Sequence, residues 1–135
     1  MRIVLDTNVL VSALLTGGGT ADRALQLVLQ GDATLLIDSR ILAEYDEVTA
    51  RPRFGFDPAE RRVLLDVLES VAEPVLSRPF RLTLPDPDDR MFVEVAKAGG
   101  ADAIVTDNVK HFVPTRGALG VAVITPRQCV DRLRR

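Results

Sequence analysis

Apolar residues in this chain fall into two alternating patterns: short unbroken runs and longer stretches at helical spacing. Ile3-Val4-Leu5 runs without alternation into Asp6-Thr7-Asn8, Ala33 to Ile37 into Asp38-Ser39, and Ala103-Ile104-Val105 into Thr106-Asp107-Asn108. Such runs predict strands buried on both faces, as in a parallel sheet covered by helices. Between them, Asn8 is expected to cap a short apolar helix through Leu15, ended by Gly17-Gly18-Gly19. A second helix is expected from about Thr20 to Gln30, with Ala21, Ala24, Leu25 and Val28 inward and Gly31 as its stop. A third places Ile41, Leu42, Tyr45 and Val48 on one face, with Glu44 at the edge of that face.

Asp57-Pro58-Ala59-Glu60 reads as a helix start, with a capping Asp, Pro in the first turn and Glu in the reciprocal position. The helix should run to about Ala72 and bury Leu64, Val67, Leu68 and Val71, with Val75-Leu76 a short strand at most. Pro85 to Arg90 forms a rigid turn into a helix whose core face carries Phe92, Val95 and Ala96; Asp88 is the expected cap and Asp89 lies in the first turn. A strand from Val121 to Ile124 leads to the capping pattern Thr125-Pro126-Arg127-Gln128 and a basic last helix. Strand and helix alternate without repeats or a linker. The expectation over residues 1–135 is one α/β domain, a three-layer sandwich with a mainly parallel central sheet flanked by helices.

Composition narrows the classes. The 135 residues are enough for one ordinary core. No apolar run approaches the roughly 20 residues of a membrane span, and the chain enters a strand without a signal segment, so a cytoplasmic protein is expected and no membrane partner. Cys129 is the single cysteine, which excludes an internal disulfide and a thiolate cluster; beside Val130 and Leu133 it reads as a small packing residue. A net charge of −2 argues against holding a polyanion by charge alone. It does not argue against an enzyme whose metal ions supply positive charge at an acidic site.

Parallel strands bring their carboxyl ends to one edge, where open α/β sheets form their ligand crevice. Asp6 ends the first strand, Glu44 flanks a helix after the second, Asp89 opens a helix, and Asp107 or Asn108 follows a later strand. Taken alone, Asp6 also suits a helix cap, and Asp38 with Ser39 suits capping better than chemistry. Four such groups at one edge would repel, and oxygen-only ligands select hard cations, Mg²⁺ or Mn²⁺. Mg²⁺ on few carboxylates keeps several waters, which leaves room for a phosphate oxygen and an attacking water.

Ile-Val-Leu-Asp-Thr-Asn at the start, Ser39-Arg-Ile-Leu-Ala-Glu44, Asp86-Pro-Asp-Asp89-Arg-Met-Phe-Val-Glu-Val-Ala and Ala103-Ile-Val-Thr-Asp-Asn together resemble the PIN-domain family, in the family's order and over nearly the whole chain. Thr106-Asp-Asn-Val-Lys-His-Phe112 is similar to the VapC-like group, described as toxin components of toxin–antitoxin modules. The resemblance implies a Mg²⁺- or Mn²⁺-dependent endoribonuclease acting on single-stranded RNA, often a homodimer and often inhibited by a small antitoxin protein. It implies that Asp6, Glu44 and Asp89 are the first three family acids. For the fourth, the spacing from Thr106 points to Asn108 and the charge to its neighbour Asp107. Catalytic roles thus fall to Asp6, Glu44, Asp89 and Asp107, metal contacts to Asp6, Asp89, Asp107 and Asn108, and support to Thr7, Asn8 and Thr106.

Arg51 and Arg53, near Arg61 and Arg62, are candidates for phosphate, which the planar guanidinium fork suits; Arg132, Arg134 and Arg135 form a second basic group. His111 reads as a loop residue packed beside Phe112. Two other classes fit part of the pattern. A phosphotransfer domain would also place an Asp after the first strand. The phosphatase type, however, wants a second Asp where Asn8 stands, and Lys110 lies too far past its strand for a receiver. A non-catalytic PIN-like module that binds RNA or protein would tolerate Asn108.

Overall fold

The computed structural model describes residues 1–78, 84–115 and 120–134; Arg135, one of the basic residues named above, lies outside the described residues. Strands β1 (Arg2–Leu5), β2 (Thr34–Ile37), β3 (Glu73–Pro74), β4 (Ala103–Val105) and β5 (Ala122–Ile124) form one sheet in the order β3-β2-β1-β4-β5. Every pairing is parallel, with Leu5 opposite Val105 and Val105 opposite Ile124. The two central strands β1 and β4 are buried from Ile3 to Leu5 and from Ala103 to Val105, as unbroken apolar runs demand.

The helices are α1 (Thr7–Leu15), α2 (Thr20–Leu29), α3 (Ser39–Thr49), α4 (Pro58–Val71), α5 (Arg90–Ala98) and α6 (Pro126–Leu133). From β1 the chain steps outward to β2 and β3, then crosses back to β4. Right-handed connections therefore put α1 to α4 over one face and α5 over the other. In keeping with this, α5 packs on β1, β2 and β4, whereas α6 returns to α2. Gly99, at the end of α5, is tightly packed: a Cβ there would lie 2.8 Å from Leu36 Cδ1 and 2.9 Å from Val75 Cγ2.

Several local expectations are corrected. Asn8 lies inside α1 rather than capping it, because the helix already begins at Thr7. Helix α4 buries Leu65 and Leu68, while Val67 and Val71 are exposed, because it packs on α2 and α3 rather than on the broad sheet. Asp57 caps α4 through Ala59 N–H at 2.9 Å. The third strand is Glu73–Pro74, two residues before the expected position, and Leu76 is 96% exposed. Capping at α5 is also displaced. Asp86 accepts from Asp88 N–H at 2.9 Å and opens a 3₁₀ turn over Pro87–Asp89, so Asp88 is not the cap and Asp89 makes no side-chain capping bond.

Other expectations match the structure. Asp38 caps α3 through Ile41 N–H at 2.9 Å, and Thr125 and Gln128 form a reciprocal capping box on α6. Cys129 is fully buried, which pushes its thiol pKa up. No helix among the described residues is long and apolar enough to cross a membrane.

Candidate active site

The strand order reverses between β1 and β4, and the carboxyl ends of this pair are where a crevice opens in such sheets. Asp6 and Thr106 stand there side by side. Asp6 N–H donates to Val105 O at 2.9 Å, and Thr106 N–H to Ile124 O at 2.9 Å, so the ladder continues one residue past each strand. Asp6 occupies the cap position of α1 without a side-chain capping bond; its Oδ2 instead accepts from Thr106 Oγ1 at 2.7 Å. The Thr106 hydroxyl in turn accepts from Asn108 N–H at 2.9 Å, which fixes the turn beyond β4.

Helix α3 brings Glu44 to the same place. Tyr45, fully buried, donates its hydroxyl to Leu5 O at 2.5 Å and so ties α3 to the last residue before Asp6. Burial and the neighbouring Asp6 and Glu44 charges hold the Tyr45 pKa well above the usual phenol value. Thr7 Oγ1 donates a short hydrogen bond to Glu44 Oε2. Asp89 arrives from the opposite face at the start of α5. Its Oδ2 is buried and has no hydrogen-bond partner, with His111 Nδ1 3.5 Å away.

These carboxylates feel their surroundings and one another. Burial pushes Asp6 up to about 6, the Thr106 hydrogen bond opposes this, and the Glu44 charge adds to it. Burial pushes Asp89 up to about 7, reinforced by the charges of Asp6, Asp86 and Glu44 and opposed by His111. A cleft of about 410 Å³ is lined by Thr7, Asn8, Glu44, Arg51, Arg53 and Asp89, together with Phe54 and the acids Asp86 and Asp88. Arg51 is paired with Glu47 at 3.2 Å, whereas Arg53 makes no ion pair among the described residues.

Asp107 is held at the rim of this cleft, on Ser12 and Asn8, which both line it. It is exposed, its Oδ2 accepts from Ser12 Oγ at 2.9 Å, and its N–H donates to Asn8 Oδ1 at 3.3 Å. Asn108 is exposed beside it. Together they line a separate hollow with Val109, Lys110 and His111. The other arginines named from the sequence are engaged or remote. Arg61 forms a short ion pair with Asp46, Arg62 lies 3.3 Å from Asp66, and Arg132 and Arg134 lie at the end of the chain.

Sequence reasoning gave Tyr45 only a packing role and placed His111 beside Phe112. The contact of His111 with Asp89 crosses between a loop and a helix, and no spacing in the sequence announces it.

The donor set suits a hard divalent cation. All the donors are oxygens, two carboxylates have raised pKa values because burial and like charges oppose their ionisation, and one buried oxygen accepts no hydrogen bond. Among the described residues no three His, Cys, Asp or Glu side chains converge closely enough to enclose an ion. A cation here would be held by one or two carboxylates and water, the mode that Mg²⁺ favours.

The PIN-domain family profile matches residues 2–110, so the chain belongs to the PIN-domain family. PIN domains are in general nucleases that depend on divalent metal, which gives the activity class. Among solved structures, the chain is similar to one in the crystal structure of VapBC2 from Rickettsia felis bound to a DNA fragment from their promoter. The TM-score is 0.58 at 19% identity, over 93% of this chain and 98% of that one. At this identity the likeness shows the fold, a PIN-like α/β sandwich around a parallel five-stranded sheet. No curated protein sequence matches the chain.

Proposed function

We propose that this chain is a Mg²⁺- or Mn²⁺-dependent endoribonuclease that hydrolyses phosphodiester bonds in single-stranded RNA and acts as the toxin of a toxin–antitoxin pair. The observation that carries the reading is the buried oxygen of Asp89, without a hydrogen bond, in a cleft shared with Glu44, Arg51 and Arg53 and within the field of the Asp6 charge.

Asp6 and Asp89 would hold the cation. When bound, it supplies Lewis acidity at the phosphate and acidifies a water for in-line attack. Thr106 fixes the rotamer of Asp6, and Thr7 fixes that of Glu44, which accepts a proton from the attacking water or orients it. Asn8 secures the backbone of Asp107. The fourth position belongs either to Asp107, after release from Ser12, or to the carbonyl oxygen of the exposed Asn108. Arg51 and Arg53 bind phosphate oxygens on the walls of the cleft.

The toxin role draws on the structural neighbour, a VapBC toxin–antitoxin complex. It implies a small antitoxin as partner, a cytoplasmic setting and a homodimer. The exposed valines Val63, Val67 and Val71, spaced four apart on α4, offer such partners an apolar stripe.

Cleavage of an unstructured RNA by the purified chain tests the reading, with Mn²⁺ or Mg²⁺, with EDTA and with Asp6→Asn. Cutting that needs the metal and is lost in the variant is expected. Cutting that persists in EDTA would overturn it. A second reading, a non-catalytic PIN-like module, is favoured by the turn of Asp107 toward Ser12 and the amide at Asn108. RNA binding without metal-dependent cutting would select it.

A further inference from the structure

Aromatic residues are scarce here, five Phe and one Tyr. Tyr45, Phe92 and Phe112 are wholly buried in the core, and Phe80 lies outside the described residues. Phe54 and Phe56 are different: both are half-buried, and neither ring packs on the core. They stack on each other instead, with centroids 5.5 Å apart and planes 10° from parallel. The guanidinium of Arg53 lies over the Phe54 ring, 4.8 Å from its centroid. Phe54 and Arg53 also line the cleft that holds Glu44 and Asp89.

The turn that carries them is built to be stiff. Pro52 opens a 3₁₀ turn over Pro52–Phe54, Gly55 closes it at φ 64°, and Gly55 N–H donates to Pro52 O at 3.1 Å. The positive φ is one that glycine adopts without strain. A flat apolar ring on a rigid turn beside cationic side chains and an acidic cleft is the arrangement that binds a single-stranded nucleobase by stacking.

We propose that Phe54, backed by Phe56, is a stacking platform for an unpaired nucleobase next to the scissile phosphate, and that Arg53 covers the ring until RNA arrives. This rests on the nuclease reading. An exposed guanidinium over a ring is held more weakly than a stacked base, so the base displaces it. Arg53, free of any carboxylate partner among the described residues, then turns its planar fork to a phosphate oxygen pair. Stacking is indifferent to base identity, so this subsite selects unpaired strand over duplex rather than a particular sequence.

The chain has no tryptophan, so Phe54→Trp introduces a lone indole, which can be excited selectively over Tyr45. Binding is read with a short oligouridylate and with an abasic sugar–phosphate strand of equal length and charge, in Ca²⁺ to slow turnover. We expect oligouridylate to quench the introduced indole and the abasic strand to leave it unchanged. Phe54→Ala and Phe54→Leu should each weaken oligouridylate binding on the order of tenfold and leave abasic binding as it was. Phe54→Leu keeps an apolar side chain, so equal melting temperatures separate lost stacking from lost folding. Equal quenching by both strands, or wild-type affinity in Phe54→Leu, would overturn the proposal. Base-dependent binding without Mn²⁺-dependent cleavage would sink the nuclease reading and leave the platform standing. Cleavage with base-independent binding would do the reverse.

Discussion

Replacing Asp6 by Asn should make the metal-free protein more stable at neutral pH, an unusual outcome for a substitution at a buried polar residue. Asp6 is 6% exposed, and its pKa stands at about 6 against an ordinary 3.8. That rise corresponds to ~3 kcal/mol of unfavourable ionisation in the folded state. The sign follows from linkage. With the folded pKa above the unfolded one, this stability is fully present below about pH 4 and is lost as pH rises through about 6.

An amide at position 6 can still accept from Thr106 Oγ1, now 2.7 Å from the carboxylate, but its N–H₂ group gains no assigned partner, at a cost of ~1 kcal/mol. The net gain is ~2 kcal/mol near pH 7.5, or about 6 to 8 °C in melting temperature for a domain of this size. Near pH 4 the advantage should vanish, since wild-type Asp6 is then protonated. Thermal melts of both proteins in EDTA across this range read the difference directly; carboxylates remote from Asp6 cancel between them, and Asp89, relieved of the Asp6 charge, adds to the gain. Added Mg²⁺ should raise the wild-type melting temperature by mass action and leave the variant unmoved. An Asp6→Asn protein that melts at or below wild type near pH 7.5 in EDTA, or a difference independent of pH, would refute the reasoning.

Other outcomes follow from the same geometry. Asn108→Asp should raise cleavage activity at least severalfold if position 108 is the fourth ligand, while Asp107→Asn should then matter little; initial rates with Mn²⁺ decide, and the opposite ranking assigns the role to Asp107. Arg40→Met should destabilise by ~2 kcal/mol, read by urea titration, because the guanidinium that bonds Glu94 Oε1 at 2.7 Å leaves a 5% exposed carboxylate without its partner. Tyr45→Phe should cost ~1 kcal/mol by the same titration, since the hydroxyl on Leu5 O is lost; activity should fall as well, because Glu44 neighbours Tyr45 on α3. Gly99→Ala should lower stability by ~1 kcal/mol or more, because the new methyl would press on Leu36 and Val75.

Much of the fold was legible because its periodicities are local. Buried parallel strands need unbroken apolar runs, and Ile3 to Leu5 and Ala103 to Val105 are such runs, so the sheet's centre could be read directly. Capping is equally local, and Asp38 and the Thr125–Gln128 pair cap as their spacing suggests. The failures arose where two local patterns competed or where packing chose a face. Asp86, Asp88 and Asp89 each suit a helix start, and only the 3₁₀ turn at Pro87 decided that Asp86 caps. Helix α4 has apolar residues around much of its girth, and contact with α2 and α3 rather than the sheet left Val63, Val67 and Val71 outside.

The sequence by itself determined the alternation of strand and helix, the acids that end β1 and open α5, and the chemistry of their donors: oxygen alone, in a chain with one histidine and one cysteine. Tertiary structure decided what those acids meet. The strand order that puts β4 beside β1 brings Thr106 onto Asp6, Tyr45 holds Glu44 near it, and the crossover through α5 buries one oxygen of Asp89 within 3.5 Å of His111. It also engaged Asp107 with Ser12, on the lining of the cleft that holds Glu44 and Asp89. A residue's type and its place along a strand are local properties. Its burial, its repulsion by other charges and the partner its hydrogen bond finds depend on segments up to 100 residues distant, as Thr106 is from Asp6.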